Sequence, residues 1–327
     1  MDRLSSLAAV GATREVLQAH GLATKHALGQ NFLVNDDVIK KIAILADLQP
    51  DDFVLEVGPG IGTLTEALLK CSGAVISVER DCDLPAVLAE TLSEWADRFA
   101  LIRKDALELQ LDDVRQARMT IASAMGGIAP AVDPDSDVAD ETAGGPLRDM
   151  PNKFVSNLPY AVAATIILDF FERFDSIQSA TVMVQREVGE RIMAKPGTKN
   201  YGAYTVKLGL HAQAVDKFAV SPGNFFPPPH VESMVVRLDR RSVAGDDGAP
   251  LSAEEMQAAA MMADAAFATR RKTISNSCKT YFSGRGKPQV VAALPAMFET
   301  CGIAPNRRGE TLEQAEFIRL GKALLAL

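Results

Sequence analysis

Apolar residues recur along this chain in two rhythms that alternate over its first 240 positions. Short unbroken runs at 53–57, 74–79, 99–103, 153–156 and 179–185 read as strands buried on both faces. Between them the apolar residues fall at helical spacing. Thr13 caps a short helix over 13–20 that Gly21 stops, and Asp36 or Asp37 caps a helix carrying Val38, Ile39, Ile42, Ala43 and Leu45. Further helices are expected over 63–70, 83–93, 161–171, from 186 through Met193, and over 204–211. Residues 217–221 and 231–238 read as a closing hairpin around Phe225-Phe226-Pro227-Pro228-Pro229. Strand and helix in alternation predict an α/β fold built on a doubly wound, mostly parallel sheet.

After Arg240 the rhythm changes. A Gly/Asp linker at 244–248 precedes helical patterns only, at 252–269, 271–282, 288–300 and 311–325. The expected division is a larger domain over 1–240 and a smaller, all-helical C-terminal domain over 251–327, which suits a chain of 327 residues. Residues 111–150 fit neither rhythm. They hold two Gly-Gly pairs and eight acidic against three basic groups, and read as a partly mobile surface insertion.

The longest apolar stretch, 160–168, ends at Asp169 and is too short to span a membrane. With no full secretory signal at the N-terminus, a cytoplasmic location is expected. Cys71, Cys82, Cys278 and Cys301 form no close pair, and the four histidines show no ligand spacing, so no metal site is expected.

A net charge of −8 argues against a polyanionic partner until it is mapped. Residues 1–239 hold 22 basic and 33 acidic groups, a balance of −11, whereas residues 240–327 hold 12 and 9, a balance of +3. Within 267–287 lie Arg270, Arg271, Lys272, Lys279, Arg285 and Lys287 and no acid. Screening confines each patch to roughly 8 Å at physiological salt, so an acidic body can still hold a phosphate backbone on such a stripe. A solvated helix face is the plainer reading of a charge run alone.

Three motifs carry chemistry. The loop Glu56-Val57-Gly58-Pro59-Gly60-Ile61-Gly62 joins a strand to a helix, and its glycines let backbone approach a ligand closely. Glu79, at the end of the next strand, is placed to accept both hydroxyls of a ribose. The spacing is not the usual G-x-G-x-x-G, which favours a nucleoside without a pyrophosphate, such as S-adenosylmethionine (SAM). Asp105, past the third strand, can accept from an adenine amine or simply cap its turn.

The second motif is Asn157-Leu158-Pro159-Tyr160, where the fourth strand opens onto the ligand crevice. An amine conjugated to a purine is a poor nucleophile. Two acceptors, the Asn157 side-chain oxygen and the Leu158 carbonyl, can hold both its N–H bonds and favour pyramidal geometry. Tyr160 offers a flipped base a stacking face. The third motif is Phe225 with its three prolines, a candidate opposite stacking wall or an aromatic that merely covers a hairpin end.

Taken together these residues resemble the rRNA adenine N6,N6-dimethyltransferase family, most closely its bacterial small-subunit branch, the KsgA (RsmA) type. The matches run from Gly29-Gln30-Asn31-Phe32-Leu33 through the glycine loop, Glu79-Arg80-Asp81, Asp105-Ala106 and Asn157-Leu158-Pro159-Tyr160. They continue through Gln185-Arg186-Glu187-Val188, Phe225-x-Pro227-x-Pro229-x-Val231-x-Ser233 and Phe267-x-x-Arg270-Arg271-Lys272-x-x-x-Asn276 to Leu312. The resemblance implies a methyltransferase-type sheet that binds SAM through Gln30, Asn31, Leu33, Gly58, Gly60, Glu79, Asp105 and Asn157. It further implies an acceptor-base site of Asn157, Leu158, Tyr160 and Phe225, and RNA contacts from Arg270, Arg271, Lys272 and Lys279. Family members dimethylate two adjacent adenosines near the 3′ end of small-subunit (16S) rRNA in a pre-ribosomal 30S particle. A monomer without metal is expected.

The acidic insertion and the overall charge depart from the family pattern and bear on docking alone. Two other readings compete: the large-subunit, antibiotic-resistance branch, whose members are typically basic, and a non-catalytic ribosome assembly factor. A small-molecule methyltransferase or a nicotinamide oxidoreductase leaves the stripe at 267–276 unexplained.

Overall fold

The computed structural model describes residues 3–22, 31–125 and 148–327. Among the described residues nine strands follow in chain order: β1 (Phe32–Leu33), β2 (Phe53–Val57), β3 (Ala74–Glu79), β4 (Phe99–Arg103), β5 (Lys153–Asn157), β6 (Ser179–Gln185), β7 (Ala212–Val220), β8 (Phe225–Phe226) and β9 (Ser233–Arg240). The helices of the first part are α1 (Val10–Ala19), α2 (Asp36–Ala46), α3 (Thr63–Cys71), α4 (Leu84–Thr91), α5 (Leu111–Ala124) and α6 (Ala163–Arg173). Then come α7 (Arg186–Ile192), α8 (Ala203–Gly209), α9 (Ala253–Phe267), α10 (Ile274–Ser283), α11 (Pro288–Thr300) and α12 (Gln314–Leu325). No helix of the described residues is long and apolar enough to cross a membrane.

Seven strands form one sheet in the order β4-β3-β2-β5-β6-β9-β7. The five from β4 to β6 are parallel, and β9 runs antiparallel to β6. Strands β2 and β3 are buried at every position, which is why their sequence is apolar apart from Glu56, Ser77 and Glu79. The chain departs from β2 to β3 on one side, and β5 pairs on the other, so the crevice opens at the carboxyl ends of β2 and β5. The expected hairpin is present as neighbours β7 and β9, and its loop adds a strand. Within that loop β8 pairs antiparallel with β1, Phe32 opposite Phe226 and Leu33 opposite Phe225.

Two local expectations change. Asn35 caps α2, its side chain accepting from the Asp37 amide at 2.9 Å. Asp36 accepts instead from the amides of Leu4 and Ser5, at 3.0 and 2.9 Å. The insertion begins as an ordered helix: α5 carries a Gln110/Asp113 capping box and buries Val114, Ala117 and Ile121. Residues 126–147 of that insertion lie outside the described residues.

The chain divides into two compact units, 1–186 with 215–239, and 187–214 with 240–327. The expected boundary after Arg240 is therefore one of several crossings, because residues 187–214 join the helical unit. Tertiary partners explain this. Tyr201 donates to the Leu312 carbonyl at 3.0 Å, Lys207 pairs with Asp264 at 3.1 Å, and Arg241 donates to the Gly209 carbonyl at 2.9 Å. Tyr201 and Val206 complete an apolar core with Phe282, Phe298 and Phe317. Close backbone packing of α9 on α12 sets the unit's centre. A Cβ on Gly321 would lie 2.5 Å from the Ala259 nitrogen, so the alanines of α9 need a glycine opposite.

Candidate functional site

A cavity of about 460 Å³ lies at the carboxyl ends of the parallel strands, with every lining residue in the sheet unit. The loop after β2 forms one wall. Gly58, Gly60 and Gly62 have φ of 70°, 61° and 92°, where an L side chain is strained. A Cβ on Gly60 would stand 3.1 Å from the Phe32 ring, so glycine is required both for conformation and for the approach of β1. Gly62 caps α3, whose first residue, Thr63, is buried against the cavity. The Thr63 hydroxyl has no hydrogen-bond partner among the described residues.

Carboxylates dominate the electrostatics. Glu56 is 1% exposed, and its Oε2 accepts from the hydroxyls of Thr65 and Ser77, each at 2.7 Å. Burial pushes its carboxyl up to about 7, and the nearby Glu79 charge adds to this against the two hydroxyl bonds. Glu79 is likewise raised by burial, which outweighs the backbone amides of Asp81, Arg80 and Gly60. Asp105 accepts from the Leu107 amide at 3.0 Å and pairs with Arg80 at 3.2 Å. It therefore caps its turn and still lines the cavity, each oxygen keeping a second lone pair. Two buried acids, both raised by burial, beside a glycine cradle and an unpaired hydroxyl suit a cationic nucleoside with a carboxylate tail. The site thus fits SAM.

The acceptor turn stands opposite the loop. Asn157 ends β5, and its side-chain amide donates to the Asn31 carbonyl at 3.3 Å. That bond assigns the amide's orientation and leaves its oxygen without a partner among the described residues. The Leu158 amide donates to the Met183 carbonyl at 3.1 Å, which ties the turn to β6. The Tyr160 hydroxyl and the Ser233 hydroxyl share a hydrogen bond of 2.6 Å that holds the ring upright. Burial raises the Tyr160 phenol above its ordinary value.

Of the residues expected here, Asn31, Leu33, Gly58, Gly60, Glu79, Asp105, Asn157, Leu158 and Tyr160 all line the cavity. Gln30 lies outside the described residues. Phe225 is placed differently. It is 3% exposed, sits in the apolar core of the sheet unit and is absent from the cavity wall. Phe225 lies opposite Leu33 in the β8–β1 pair, and Leu33, equally buried in the same core, is the member of the pair that lines the cavity.

The basic stripe belongs to the helical unit, and none of its residues is among those that line this cavity. Arg270 to Lys272 occupy the turn between α9 and α10, where the sequence predicts a helix from 271. Arg270 is spent internally: it donates to the Lys199 carbonyl and pairs with Glu310 at 3.5 Å. Arg271, Lys272 and Lys279 are exposed, with no ion pair among the described residues. Sequence reasoning gave no role to Thr63, Glu56 or Gln185. For Glu56 a signal existed, a lone acid inside an apolar strand run.

The sequence model of the family described as ribosomal RNA adenine dimethylase matches residues 21–323. A ribosomal RNA small subunit methyltransferase A of Geobacillus kaustophilus (strain HTA426) is 35% identical over 323 residues, covering 98% of this chain and 98% of its own length. Its counterpart in Enterococcus faecalis (strain ATCC 700802 / V583) is 34% identical over 324 residues, covering 99% and 98%. Among solved structures, a dimethyladenosine transferase from Plasmodium falciparum superposes with a TM-score of 0.64 at 19% identity, over 88% of this chain and 95% of that one. The 23S rRNA methyltransferase ErmE gives 0.55 at 24% identity, over 90% and 99%. These two structural likenesses carry the fold alone.

Proposed function

The chain belongs to the ribosomal RNA adenine dimethylase family, and from that premise we propose how its own residues carry out the reaction. It is a SAM-dependent enzyme that dimethylates the N6 amine of adenines in small-subunit rRNA. Its relatives named for small-subunit rRNA favour this over the large-subunit branch. The acceptors are two adjacent adenosines near the 3′ end of 16S rRNA, met in a pre-ribosomal 30S particle. The protein acts as a monomer in the cytoplasm.

SAM supplies an electrophilic methyl group on a sulfonium. Glu79 binds the ribose of that cofactor, while Asn31, Leu33, Gly58 and Gly60 shape the cradle. Glu56 sets a negative potential that favours its positive charge. The Asn157 oxygen and the Leu158 carbonyl accept the two N–H bonds of the adenine amine, turn its lone pair out of the ring plane and aim it at the methyl. Tyr160 stacks on the base, held by Ser233. Phe225 packs beside Leu33 in the β8–β1 pair and so fixes that wall's position. No strong base is required, because the methylated amine loses its proton readily to water. Arg271, Lys272 and Lys279 hold rRNA phosphates.

One observation carries this reading most directly. The Asn157 amide donates to the Asn31 carbonyl, which leaves its oxygen free to accept, and Asn157, Leu158 and Tyr160 line the same cavity. Incubation with labelled SAM and unmethylated small subunits, followed by nucleoside analysis, is the test. N6,N6-dimethyladenosine in 16S rRNA is expected. Label confined to large-subunit rRNA would transfer the chain to the resistance branch.

A further inference from the structure

Gln185 ends β6 on the acceptor side of the cavity and has no place in the reaction as derived so far. Its position is set by two registers. Asn157 on β5 lies opposite Met183 on β6, and Gln185 is two residues farther along. Side chains two apart in a strand share a face, so Gln185 and Asn157 project from the same face of the sheet. Across the other edge of β6, Gln185 lies opposite Ser233, whose hydroxyl holds Tyr160. Gln185 is half-buried, lines the cavity and makes no side-chain hydrogen bond among the described residues. A carboxamide without a partner, beside an amide that grips the acceptor amine, is a reader in waiting.

We propose that Gln185 is a specificity-determining residue whose side-chain N–H donates to N1 of the target adenine. This rests on the adenine-methylating function above. With N6 held by Asn157 and Leu158, two ring nitrogens flank the amine. N7 shares the five-membered ring with N9, which carries the ribose and must leave toward the RNA chain. N1 lies on the far side of the base and is the ring nitrogen left to meet Gln185, at the carboxyl end of β6 where the cavity opens. Adenine presents an N1 lone pair there and accepts the bond. Guanine presents a carbonyl against the two acceptors at Asn157 and Leu158, and an N1–H that Gln185 meets only by turning its carboxamide oxygen inward, so the base is rejected first at the amine position.

The experiment uses the full-length protein with unmethylated small subunits. Wild type, Gln185→Met and Gln185→Glu are compared in kcat/KM from pH 5.5 to 8.5, with SAM affinity read by calorimetry. Gln185→Met keeps the side chain's length and removes the donor, and should lower kcat/KM about 10- to 100-fold at every pH. Gln185→Glu should be worse than Gln185→Met at pH 8, where a carboxylate faces the N1 lone pair. It should recover as pH falls, because the protonated acid regains an O–H donor. A role in packing alone does not produce that inverted profile. All three proteins should bind SAM alike. The assignment is overturned if Gln185→Met matches an active wild type, if Gln185→Glu follows the wild-type profile, or if SAM affinity falls in step with turnover. A wild type that leaves small-subunit rRNA unmodified overturns the parent reading, and this assignment with it.

Discussion

Glu56→Gln should make the protein more stable above neutral pH while weakening its grip on the cofactor. The folded carboxyl titrates near 7, against an ordinary value of 4.5. Between those two pH values the unfolded chain has released its proton while the folded chain keeps it. The folded state then binds more protons, so stability is lost as pH rises through this window and levels off above it. At 1.36 kcal/mol per pH unit the interval amounts to about 3 kcal/mol. Glutamine does not titrate, and its amide oxygen can still accept from Thr65 and Ser77, which now donate at 2.7 Å. Relative to wild type, the variant should therefore be close to neutral at pH 5 and gain up to about 3 kcal/mol at pH 8. The chain's single tryptophan, Trp95, packs against the core of the same sheet unit, so urea unfolding followed by its fluorescence reports on that unit. SAM affinity at pH 8 should fall, since the buried negative charge is gone. An identical stability difference at pH 5 and pH 8 would refute the buried, proton-holding carboxyl.

Glu79→Ala should weaken SAM binding roughly 10- to 100-fold by calorimetry, through loss of a charge-assisted contact worth about 1.5–3 kcal/mol; unchanged affinity removes Glu79 from the site. Arg271→Ala with Lys279→Ala should flatten the salt dependence of small-subunit binding by about 0.7–0.9 log units per lost phosphate contact, with SAM affinity intact. Arg270→Ala should instead lower the melting temperature of the helical unit and spare the salt slope, since its guanidinium ties Lys199 and Glu310 together. Gly321→Ala should destabilise that unit by about 2–3 kcal/mol in denaturant unfolding, because its Cβ meets the backbone of Ala259, which cannot turn aside.

Much of the sheet unit is written locally in the sequence. Strands buried on both faces need unbroken apolar runs, so β2, β3 and β6 announce themselves within a few residues. The glycine loop is legible for a similar reason: three positive φ angles between a strand and a helix leave little but glycine. Glu79, Asn157, Leu158 and Tyr160 follow, because strand ends and the turns after them are fixed once the strands are.

What the sequence could not carry depends on pairs far apart in the chain. Tyr201 reaches Leu312, and Arg270 reaches Lys199, so residues 187–214 belong with helices that begin only at Ala253. Phe225 reads as a stacking wall or the cover of a hairpin end, and only the pairing of β8 with β1 shows that its ring sits in the core. Glu56 and Gln185 gain chemical meaning only from neighbours on other strands, Ser77 beside one and Ser233 opposite the other. Periodicity records which residues turn inward along one element. It holds no term for which distant group waits there, and burial beside that group is what sets a proton affinity, an anchor or an unfilled hydrogen bond.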